Sequence, residues 1–131
     1  MKKIALLAWL IAHNFIAEPK VYFIEPKNND VITERTFKVQ FGLEGFGIAP
    51  AGYDIPNTGH HHLLIDVDKM PNFNIPLAAS DNIRHFGGGQ TEVTLELPPG
   101  KHTLQLVLGD WIHLPHSPPV MSEKITITVK K

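Results

Sequence analysis

Thr36 to Leu43 reads TFKVQFGL, with Phe37, Val39, Phe41 and Leu43 on one face and Lys38, Gln40 and Gly42 on the other. Successive side chains of an extended chain point to opposite sides, so this strict alternation predicts a half-buried strand. The same period recurs downstream. His61 to Val67 groups Leu63, Ile65 and Val67; Glu92 to Leu97 groups Val93, Leu95 and Leu97. His102 to Leu108 groups Leu104, Leu106 and Leu108, and Lys124 to Val129 groups Ile125, Ile127 and Val129. Upstream, the β-rich run Val21 to Ile24 stops at Glu25-Pro26, and Asn28-Asn29-Asp30 supplies a turn. Pro98-Pro99-Gly100-Lys101 supplies another. Period-2 segments punctuated by Pro, Gly and Asn predict an all-β fold, an immunoglobulin-like antiparallel β-sandwich of about seven strands. Two connections are longer than a sandwich needs, Glu44 to Gly59 and Asp68 to Gln90. The second predicts an edge strand or a short helical turn around Pro76 to Asp81.

The chain of 131 residues is one domain's worth, but its start differs from the rest. Lys2 and Lys3 precede an apolar run from Ile4 to Ala12, and after Ala17 the chain turns polar at Glu18. That layout predicts a signal peptide over 1–17, a single sandwich domain over 18–131, and a periplasmic or secreted protein. The apolar run is about half the roughly 20 residues a bilayer needs, so no membrane span is expected after processing. Lys2 and Lys3 are the only charges in that segment, so the remainder, with all 13 acidic residues, is net acidic. With no basic block, nucleic acid is not an expected partner. The chain has no cysteine, which excludes a disulfide framework, a thiol nucleophile and any cysteine-ligated metal.

Histidine is the enriched chemical residue. His60, His61, His62, His85, His102, His113 and His116 all follow the predicted cut, and each reads as lying at a strand end or in a loop. In immunoglobulin order, the loops before the third and fifth strands and after the sixth meet at one pole. That order gathers all of them except His102. Parity turns His61 inward with Leu63 and Ile65, and turns His60 and His62 to the opposite face. Imidazole is a common neutral metal ligand suited to zinc and copper. The expected metal ligands are therefore His60, His62, His85, His113 and His116. His61 is expected behind them at the core rim, with Asp110 and Met121 as additional ligands. The alternative is that these rings anchor loops by hydrogen bonds to backbone carbonyls.

Other chemistry is weaker. Gly87-Gly88-Gly89 lacks the Lys-Ser/Thr and helix of a phosphate loop and reads as a turn. Asp66 and Asp68 read as a solvated edge. Ser80, Ser117 and Ser122 sit in no nucleophile elbow, so no catalytic residue is assigned.

GHHHLLID (Gly59 to Asp66), HFGGGQTE (His85 to Glu92), LPPGKHTLQLVLGD (Leu97 to Asp110) and PHSPPVMSEKITITV (Pro115 to Val129) resemble the DUF4399 family of small exported bacterial domains. The resemblance covers residues 57–129. It implies that His60, His61, His62, His85 and the His113/His116 loop belong to the family's pattern, and it assigns them no role. Three functional expectations follow. The first is an exported copper- or zinc-binding sandwich concerned with metal handling. The second is a non-enzymatic module contacting an envelope protein or glycan through its loops and Trp111. The third is an enzyme with an open histidine-metal site.

Overall fold

The alternating segments become strands whose apolar faces meet. The structure is a computed structural model that describes residues 1–5, 7–9 and 18–131. The predicted cut at Ala17 and part of the preceding apolar run lie outside the described residues. Among the described residues there is no helix, and the strands are β1 (Lys20–Glu25), β2 (Val31–Ile32), β3 (Phe37–Glu44), β4 (Gly47–Ile48), β5 (Thr58–Ile65), β6 (Ile83–His85), β7 (Glu92–Leu95), β8 (Gly100–Gly109) and β9 (Ile125–Val129).

One sheet has the order β1-β3-β7; the other runs β2-β9-β8-β5-β4, with β6 also paired to β5. This is the immunoglobulin-like sandwich expected of the sequence. The long pairings are antiparallel, and only the two-residue strands β2 and β4 pair in parallel, with β9 and β5. The faces read from alternation form the core: Val39 and Phe41 of β3 and Leu95 of β7 meet Leu63 of β5, Leu104, Leu106 and Leu108 of β8 and Ile127 of β9. Burying each such leucine contributes about 2 kcal/mol.

Alternation fails at one residue. Asp66 has a left-handed backbone, φ 56°, which ends β5 and rotates Val67 out of the row of Leu63 and Ile65. Val67 joins a second apolar cluster, Leu64, Leu77 and Val107 with Met70, Phe73, Ile83 and Met121, on the outer face of the larger sheet. The segment between β5 and β6 folds over that face. It contributes the edge strand β6 and no helical turn.

His102 is apart from the other histidines, beside the end of β5. Its Nδ1 lies 2.7 Å from Asp66 Oδ2 and its Nε2 lies 2.7 Å from the Pro98 carbonyl. Asp66 Oδ1 also accepts from the Thr103 amide. Burial alone would lower the His102 pKa, but the bonds to Asp66 and Pro98 outweigh it and raise it. Asp66 is thus a structural partner of His102 that favours its protonated form, a more specific role than the solvated edge read from sequence.

Candidate metal centre

The histidine run is deeper than its sequence suggests. The expectation that no histidine lies within a strand among apolar residues is corrected: His60, His61 and His62 sit inside β5, and each is 0 % exposed. The strand begins at Thr58, because Gly59 lets its backbone pack against the Gly109 carbonyl, where a Cβ would collide. Parity then separates the rings. His61 faces the core, its ring 5.0 Å from that of Phe41, with neither ring nitrogen hydrogen-bonded. His60 and His62 face outward, in the row that continues to Leu64.

Two further histidines arrive from different elements. His85 ends β6 directly across from His62 in the antiparallel register. His113 follows β8 in a turn held by Asp110, whose Oδ1 accepts from the amides of Ile112 and Leu114. The His113 amide closes the turn on the Asp110 carbonyl at 3.0 Å, and the His113 backbone is left-handed at φ 67°. A left-handed non-glycine residue is uncommon, and here it belongs to the turn that brings the ring over β5. The Leu77 amide donates to the His113 carbonyl, joining the covering segment to the same turn.

The result is a group of four rings. His60 Nε2 lies 2.9 Å and His62 Nε2 3.3 Å from His113 Nδ1. One candidate ligand atom from each of these three residues lies within 4.8 Å of the others. His85 stacks on His113 with ring centroids 4.4 Å apart and meets His62 edge-on at 4.5 Å. One lone pair on Nδ1 cannot serve two donors with good geometry, whereas one cation satisfies all three nitrogens. Nitrogens bound to zinc at 2.0–2.1 Å in a tetrahedron lie about 3.3 Å apart, close to the two spacings to His113 Nδ1. The His60–His62–His113 group can therefore hold a metal ion. His60 and His62 are fully enclosed, while His85 and His113 are partly exposed and leave a way in.

Burial sets the protonation state. It pushes His60 down to about 4, helped by the neighbouring His113 and His85, and His62 to about 3, helped by His60, His85 and His113. Burial and then His113 lower His85 as well. Neutral imidazole is the form that ligates metal.

The remaining expected ligands lie elsewhere. His116 Nε2 bonds the Thr58 carbonyl at 3.0 Å, and its ring meets the edge of Phe46, which packs against the inner core. It is outside the three-residue group. Two residues separate His113 from His116, but the strand-like bridge Gly109↔Pro115 intervenes and sends the rings to different environments. Met121 bridges Val107 and packs in the outer apolar cluster. Asp110 holds the turn through Oδ1.

A family profile described as "Domain of unknown function (DUF4399)" matches residues 39–130. The chain belongs to the DUF4399 family. The matched span of this DUF4399 domain contains all four rings of the group. No curated protein matches the chain. Among solved structures, the domain is similar to fibronectin(III)-like modules of CbhA from Clostridium thermocellum, at 12% identity and a TM-score of 0.47. That match covers 86% of this chain, which spans only 45% of the length of the other.

Gly109 is a site residue that sequence reading missed. It lies across from His60 on β8, and a Cβ there would sit 2.5 Å from His62 Cε1 and 3.2 Å from the His113 Cα. Only a bare backbone leaves room for the group. Gly109→Ala should lower stability by about 2 kcal/mol through overpacking. It should also weaken metal binding at least tenfold, by displacing His62. Denaturant midpoints and metal titration check both; a domain that accepts Gly109→Ala with neither change would show the cradle to be slack.

Proposed function

We propose that this protein is an exported metal-handling sandwich that carries copper or zinc on His60, His62 and His113, with His85 alongside. The observation that carries the reading is the convergence of His60 Nε2 and His62 Nε2 on His113 Nδ1 at 2.9 and 3.3 Å, from two elements far apart in sequence. The signal-like segment 1–17 supports export to the periplasm or beyond. The test is calorimetric titration of Cu(II) and Zn(II) into the protein made without a His tag. One equivalent should bind. His60→Ala/His113→Ala should lose it by at least 100-fold, while His116→Ala should keep it. Equal binding by the protein and the paired variant would refute the assignment.

One observation favours a second reading, a contact surface for an envelope protein or glycan. Tyr53 is 62% and Trp111 41% exposed, and the Gly52 amide donates to the Trp111 carbonyl, setting the two loops side by side. Exposed aromatic rings on adjoining loops suit sugar faces and protein partners. Trp111 fluorescence should then respond to envelope glycan, and a flat titration would count against a glycan partner.

A further inference from the structure

Resting on the metal reading above, we infer that this site selects a monovalent soft cation, cuprous copper, over zinc or cupric copper. The argument is one of charge. The three-residue group contains only imidazoles, and no carboxylate belongs to it. Asp110 holds the turn, with Oδ1 already accepting two backbone N–H groups. The Asp110 carboxylate acts on His60 only through space, as the last of the causes on that ring, so a divalent ion would keep most of its charge in a place where His60 and His62 have no solvent contact. The cost of transferring an ion into a low-dielectric medium rises with the square of its charge, so a divalent ion costs about four times as much as a monovalent one.

Zinc sites with three neutral histidines relieve that charge through a water or hydroxide in the fourth position. Here the ring of His85, stacked on His113 and edge-on to His62, crowds the group with a neutral side chain. Zinc histidines also commonly donate the opposite ring N–H to a carboxylate or carbonyl, which strengthens them as ligands. His60 Nδ1 and His62 Nδ1 are buried and make no hydrogen bond of good geometry. The outer apolar cluster of Leu64, Leu77 and Val107 continues the row from His62 along the sheet, so that side of the group is apolar. Cuprous copper and zinc are both d10 and impose no ligand-field geometry, so charge is what separates them, and the cuprous ion needs no anionic donor. Each feature that disfavours a divalent ion is neutral or favourable for it.

The experiment compares affinities under strict exclusion of oxygen. Cu(I) is presented as its bicinchoninate complex, Zn(II) against a chromogenic zinc chelator, and Cu(II), in a separate aerobic run, as its glycine complex. The protein should take Cu(I) at least 100-fold more tightly than Zn(II) or Cu(II). His85→Asp, which adds an anionic donor, should narrow the Cu(I)-to-Zn(II) ratio at least tenfold. Zinc or Cu(II) binding as tight as Cu(I), or an unchanged ratio in the variant, overturns the charge argument and leaves the metal reading standing. Binding of no ion in any arm overturns the metal reading itself.

Discussion

Acid should unfold the metal-free protein: as the pH falls from 6.5 towards about 4, stability should drop by on the order of 5 kcal/mol. The cause is three buried rings. His60 and His61 are pushed down to about 4 and His62 to about 3, with burial the largest cause in each. In the unfolded chain these rings take up protons near 6.5, whereas in the fold they cannot. Below that pH the unfolded state binds more protons, so stability falls until the folded-state values are reached. Opening of the 110–116 turn alone would release part of the strain and limits the loss. His102 has the opposite sign. Its folded pKa is raised, so its contribution is complete below the unfolded value and is lost as pH rises through the folded one. It therefore does not oppose acid unfolding in this window. A loss of this size is comparable to the whole stability of a small domain. Guanidinium midpoints at neutral pH and near pH 5 provide the measurement, and coincident midpoints would mean that the rings reach solvent in the fold. Saturating metal should shift the acid transition to lower pH, because ligation adds to the stability of the folded form alone.

The sandwich was legible because alternation is a local signal. The row Phe37, Val39 and Phe41 faces the core as read, and parity alone separates His61 from His60 and His62. What failed was non-local or backbone-specific. Val67 leaves its row because Asp66 adopts a left-handed backbone, a choice tied to its pairing with His102 and the Thr103 amide. His85 reads as a loop residue before β7; it instead forms a cross-strand pair with His62, which only strand register reveals. His113 and His116 look like a pair by spacing, yet the turn between them sends one ring over β5 and the other against Phe46. Gly109 could have been found by carrying register across the sheet, since a residue opposite the histidine run must leave room for it. The inward-facing His61 was legible, but its lack of any hydrogen-bond partner was not.

That lack of partners leads to the other large effect: His60→Leu/His62→Leu should remove metal binding and make the metal-free protein more stable, by about 2 kcal/mol. The Nδ1 atoms of both rings are buried without hydrogen bonds, and each such polar atom carries a desolvation cost that leucine does not. Leucine has similar bulk and would extend the apolar row of Leu64 and Val107 on the same sheet face. Against this stands the loss of the contacts to His113 Nδ1, whose ring is only partly buried and can be served by water. Two explanations of the histidines thus predict opposite signs. If the rings exist to anchor the 110–116 turn, removing them should destabilise the protein and loosen that turn. If they exist to bind an ion, the empty site is a burden on the fold, and stability should rise as function disappears. The same variant should flatten the acid transition, because two of the three rings that resist protonation are gone. Thermal or denaturant unfolding of the metal-free variant, followed across the acid range, reads both effects at once; a less stable variant would favour the anchoring role.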